Sequence, residues 1–205
     1  EMLNEQLGYY DPFFVQFFNY LKDAITKLDF GNSYRTSKPV FDDVFARLPN
    51  SLLIAFNGIV GACVVGIPLG ILSAVRQYSA IDTMSRVTAM LAAAIPPFWL
   101  GMMLIFAFAL KLNWLPSSGA DSWRHFILPM ITLAIPYAGS MLRMTRSTML
   151  ETIRQDYIRT ARAKGVPQRA IVFKHALRNA ILPVVTYLGP LLAYTVTGSF
   201  IVEKI

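Results

Sequence analysis

Charge is scarce in this chain, and four stretches have none at all: residues 48–75, 87–110, 126–142 and 179–202 contain no Asp, Glu, Lys, Arg or His. Each approaches or exceeds the roughly 17–25 apolar residues that a helix needs to cross the hydrocarbon core of a bilayer. The shortest run is followed by Arg143 and Arg146, which can snorkel to the headgroups. With 55% hydrophobic and 15% charged residues, the composition is too apolar for an ordinary soluble domain. One large soluble all-α core is the bland alternative, and four such runs weigh against it.

Other absences narrow the chemistry. Cys63 stands alone inside a span, which excludes a disulfide framework and a cysteine metal site and leaves it to pack as a small apolar residue. His125 and His175 are far apart and have no ligand cluster around them. No Gly-x-x-x-x-Gly-Lys-Ser/Thr phosphate loop occurs, so the chain is not expected to bind or hydrolyse ATP itself. Ion-coupled secondary transport usually leaves an Asp, Glu, His or Lys inside a span, and the four span interiors offer none. No recognised nucleic-acid-binding module is present, despite the +7 net charge.

That charge is concentrated in one place. The 36 residues from Arg143 to Arg178 hold nine of the nineteen Lys and Arg and only two acids, Glu151 and Asp156, while the rest of the chain sums to zero. A multispanning protein with one large basic loop keeps that loop in the cytoplasm. Alternation then places residues 1–48 outside as an extracytoplasmic segment, followed by spans near 49–75, 86–110, 126–149 and 179–202. Trp99, Trp114, Trp123 and Tyr78 fall at or near span ends, where amphipathic rings favour the headgroup level. Seven prolines in the spans, from Pro68 to Pro190, predict kinked helices, and Gly66-x-x-x-Gly70 predicts a close helix crossing. In the first segment Phe14, Phe17, Phe18 and Leu21 recur at helical spacing and predict a short amphipathic helix, after which Gly31-Asn32-Ser33 signals a turn. The chain opens at Glu1 and stops at Ile205 directly after an apolar run, and so reads as a fragment.

Inside the basic loop, residues 150–178, Leu150, Ile153, Tyr157 and Ala161 are spaced as one stripe of a helix. Gly165 suits a helix C-cap, and Pro167 suits the first turn of a second helix over 168–178, with Ala170, Phe173, Leu177 and Ala180 as its apolar stripe. A helix, a bend and a helix at the membrane surface could bind anionic headgroups through its arginines. It could instead dock a cytoplasmic protein.

The segment Asp156-Tyr157-Ile158-Arg159-Thr160-Ala161-Arg162-Ala163-Lys164-Gly165, followed by His175-Ala176-Leu177-Arg178-Asn179-Ala180 and Pro183, closely resembles the coupling loop of binding-protein-dependent ABC importer permeases. The specific likeness is to the dipeptide/oligopeptide permease family. Arg159-Thr160-Ala161 stands where the general importer pattern has Glu-Ala-Ala; only Ala161 and Gly165 keep that form. Arg47-Leu48-Pro49-Asn50-Ser51-Leu52, Gly66-Ile67-Pro68-Leu69-Gly70, Ile95-Pro96-Pro97-Phe98-Trp99-Leu100-Gly101 and Trp114-Leu115-Pro116-Ser117-Ser118-Gly119 are similar to the same family in the same order, and the likeness runs from about Leu7 onward.

The resemblance implies an all-α polytopic membrane protein, a type I ABC importer transmembrane domain over residues 49–205, with four spans visible of an expected six. It implies half of a translocation pathway for peptides in a bacterial or archaeal cytoplasmic membrane, with Asp156 to Gly165 as the ATPase-coupling residues. Its implied partners are a second permease subunit, two ATPase subunits that bind ATP and Mg, an extracytoplasmic solute-binding protein, the lipid bilayer and the peptide itself. Import of nickel or glutathione by the same family is the nearest alternative. A secondary transporter and a membrane scaffold are the alternatives from other classes.

Overall fold

Where helices stop is decided here by proline and by turn geometry, and not by the edges of the apolar runs. The computed structural model describes residues 11–198, all in helices and connecting turns apart from one isolated bridge between Asn32 and Pro39. The chain divides into two compact units, residues 1–50 and 51–205.

In the first unit, α1 (Phe13–Thr26) is the amphipathic helix expected from the aromatic spacing. Phe13 and Phe17, one turn apart, stack at 6.4 Å, and their rings stay exposed. Lys27 follows the helix and pairs with Asp23 at 2.8 Å. The expected turn forms around Gly31, whose positive φ of 77° suits glycine and whose N–H donates to Asp29 Oδ1. Next comes α2 (Val40–Val75), which begins nine residues before the expected span. Asp42, Asp43 and Arg47 end the apolar run without ending the helix, because a helix of 36 residues, at about 1.5 Å per residue, outreaches a hydrocarbon core of about 30 Å. Two acids in its first turn also complement the helix dipole.

In the second unit, the expected single span at 86–110 is two helices, α3 (Ala80–Ala94) and α4 (Pro97–Lys111), bent by 94° at the break. Ile95 and Pro96 are extended, with ψ of 123° and 131°. Each precedes a proline, whose Cδ drives the preceding residue out of the α region. From Ile105 the turns of α4 widen to a π-helix. α5 (Arg124–Ile153) is the third apolar helix and runs through Pro129 and Pro136 well past the uncharged run. A short helix, α6 (Asp156–Ala163), leads to α7 (Gln168–Thr197), which includes a π-helical stretch at Ile171–Ala176. Among the described residues three helices, α2, α5 and α7, are individually long and apolar enough to cross a membrane, and there are four if the bent α3–α4 pair is counted as one broken span. Residues 199–202 of the expected last span lie outside the described residues, as does the start of the resemblance at Leu7 to Tyr10.

Glycine brings α2 against α5. A Cβ placed on Gly66 would meet Ala138 O at 2.6 Å, and one on Gly70 would meet Thr145 Cβ at 2.7 Å. The Gly66-x-x-x-Gly70 spacing therefore works as read, by removing side chains from the crossing. Ile59, Ala62, Met141, Val184 and Leu191 bury one another between α2, α5 and α7, and a second core gathers under the basic loop.

Candidate coupling surface

That second core is what fixes α6. Gln155, extended at φ −67° and ψ 151°, breaks the chain away from α5, and Asp156 opens the new helix at its positive end. Ile158 is completely buried, packed in one cluster with Ala74 of α2, Met149 of α5, and Ile171, Val172, Ala176 and Ala180 of α7. At the other end the Gly165 N–H donates to Arg162 O at 2.9 Å and the Val166 N–H to Ala161 O at 3.2 Å. This is a Schellman closure with Gly165 at φ +76°, followed directly by Pro167.

Of the ten residues expected to couple, Ile158 points into the protein's own core and Ala161 is half-buried; Asp156, Tyr157, Arg159, Thr160, Arg162, Ala163, Lys164 and Gly165 are exposed. The outward face is thus polar and basic. The Arg159 and Asp156 side chains, 3.3 Å apart, are both open to solvent, and the Tyr157 hydroxyl accepts a 2.8 Å hydrogen bond from Asn179 Nδ2.

Two features of the expected loop need correcting. Leu150 and Ile153 belong to α5, and the turn at Arg154–Gln155 separates them from Tyr157 and Ala161, so the predicted four-residue stripe does not lie on one helix. The predicted second helix at 168–178 is the first part of α7, running on into the span without a stop. Its buried residues are Ile171, Val172 and Ala176, whereas Phe173 is exposed, because the π turn shifts the register of an i, i+3, i+4 stripe.

The sequence reading missed a charged site next to this core. Asp82, in the first turn of α3, has no solvent exposure. Its Oδ1 accepts from Arg146 Nε at 2.7 Å and from Ser73 Oγ at 2.6 Å. Its Oδ2 accepts from Arg146 Nη2 at 2.9 Å and from the Tyr78 N–H at 3.0 Å. Four donors from α2, the turn after it and α5 thus converge on one carboxylate. The Arg86 guanidinium lies farther off, at 3.7 Å. The capping serine Ser79 starts the helix that presents Asp82, accepting the Asp82 N–H. Arg146 shares a helical face with the apolar Leu142 and Met149, a signal that its side chain turns inward and does not snorkel to the headgroups as expected, although nothing in that spacing names Asp82 as its partner.

Residues 66–205 match the family described as binding-protein-dependent transport system inner membrane component. Over all 205 residues the chain is 40% identical to the glutathione transport system permease protein GsiC of Escherichia coli (strain K12), covering 67% of that protein. The figures are the same for GsiC of Shigella dysenteriae serotype 1 and of Shigella flexneri serotype 5b.

Proposed function

Because this chain belongs to the dipeptide/oligopeptide permease family of ABC importers, as one of their membrane-spanning permease subunits, we propose that α6 is the contact through which ATPase partners drive it. It would form half of the pathway beside a second permease, with two ATPase subunits that themselves bind ATP and Mg, and its basic loop would be its contact with them. A solute-binding protein would deliver substrate on the opposite side. The membrane would be the cytoplasmic one, with the basic loop inside.

The observation that carries this reading is the double character of α6: Ile158 ties it to three long helices, while its other face is open, polar and basic. A partner that grips the open face moves the whole cluster, because Ile158 cannot leave it without opening a cavity. ATP shifts the transporter between inward- and outward-facing states only to the extent that the ATP-bound partners fit one state better. The substrate class is small peptides. Glutathione, named for the relatives, is itself a short peptide, and selection among peptides would rest with the solute-binding protein.

Ala161→Trp and Gly165→Val in the full permease, co-expressed with its partners, test the reading. Both variants are expected to insert in the membrane and to abolish uptake of labelled dipeptide or glutathione, through loss of ATPase co-purification or of uptake per ATP. Normal uptake by both would remove α6 from the coupling path.

A further inference from the structure

We propose that Asp82 and Arg146 are positioning residues that clamp α3 to α5, so that a displacement of α6 reaches the bend at Ile95–Pro96 as a movement of one rigid lever. The proposal rests on α6 being the coupling contact. Arg146 lies one turn before Met149, which packs in the cluster that holds Ile158. Whatever moves α6 therefore moves the part of α5 that carries Arg146.

The clamp has two points. At one end the paired hydrogen bonds from Arg146 fix both the separation and the rotation of the two helices, which a single contact cannot do. Two turns along, a Cβ on Gly139 would stand 2.6 Å from Ala89 O, so the backbones touch there. Arg143 Nη1 reaches the same carbonyl at 3.5 Å. Held at both levels, α3 cannot slide or roll against α5. Five residues beyond Ala89 the α3 helix ends, and the chain turns through the extended pair Ile95 and Pro96 into α4, which packs on α5 in its turn.

A buried ion pair contributes little net stability beside a well-packed apolar replacement. Positional control is therefore the property that such a replacement would lose, and this separates a clamp from a merely structural pair. The decisive variant is Asp82→Leu with Arg146→Met in the full permease, reconstituted with its ATPases and solute-binding protein in proteoliposomes. Assembly and ATP hydrolysis are expected to survive within about twofold, while substrate moved per ATP falls tenfold or more. Arg146→Lys, which keeps the charge but loses the fork, should fall between. An unchanged transport-to-hydrolysis ratio in the double variant overturns the clamp.

If the double variant does not assemble, spin labels in the otherwise native complex decide. Labels at Met84 and Ser147, both exposed, should keep one distance with and without ATP, whereas labels at Met84 and Met103, across the bend, should change theirs. A Met84 to Ser147 distance that changes as much overturns the proposal. Failure of the clamp with Ala161→Trp still inactive leaves the coupling role of α6 standing; normal transport by both Ala161→Trp and Gly165→Val removes the coupling role itself.

Discussion

Gly66 lies against Met141 so closely that a methyl group added to it would come within 2.7 Å of the Met141 Cβ. The neighbours on that side are the Cβ and the backbone carbonyl of Ala138, 2.6 Å away, and neither can swing aside as a side-chain tip can. Gly66→Ala must therefore push α2 from α5, and overpacking of this kind costs about 1–3 kcal/mol. Gly189, whose Cβ would meet nothing within 4 Å, is the control. Thermal denaturation of the purified permease in detergent should show a lower midpoint for Gly66→Ala and little change for Gly189→Ala.

Ile158→Ala should separate anchoring from docking. Removing a fully buried isoleucine in this setting costs about 2–5 kcal/mol, and here the loss falls on the attachment of α6. Amide exchange in residues 156–163 is expected to quicken, with transport falling while ATPase binding persists through the outward face. Unaltered exchange would show that the rest of the loop holds α6 without this side chain.

Arg159→Ala is expected to leave stability within about 0.5 kcal/mol, since its pairing with Asp156 is solvent-exposed and such pairs contribute little. A drop in ATPase co-purification with an unchanged melting midpoint is the expected result. Equal ATPase recovery would place the grip elsewhere on the loop.

Orientation is open to chemical labelling. A cysteine replacing the exposed Arg162, in a background where Cys63 is replaced, should react with impermeant thiol reagent only in inside-out vesicles. Labelling in intact cells would reverse the assigned sides.

The features legible in the sequence were those governed by neighbours along the chain. Apolar runs located the cores of α2, α5 and α7, the glycine spacing located the close approach of α2, which the fold makes to α5, and Gly165 before Pro167 located the end of α6. The helix limits were hidden because hydropathy registers the solvent and not the backbone: Asp42 and Asp43 lie outside the apolar run but remain helical. The two π stretches were hidden because nothing in Ile105–Lys111 or Ile171–Ala176 departs from ordinary helix composition. Asp82 and Arg146 are 64 residues apart, and only the folded arrangement shows that they meet.

The bend between α3 and α4 also leaves an unfilled demand in the peptide backbone. In an unbroken helix the Ala92 and Ala93 carbonyls would accept from the residues four positions on, which are Pro96 and Pro97 and have no N–H to give. If α3 and α4 together cross the bilayer, each of these oxygens would cost several kcal/mol against lipid tails. The elbow must therefore turn them toward water or toward a donor in this chain or a neighbouring one. A wall of apolar side chains would then be interrupted at that depth by a wetted or covered patch, inside a run that hydropathy shows as featureless.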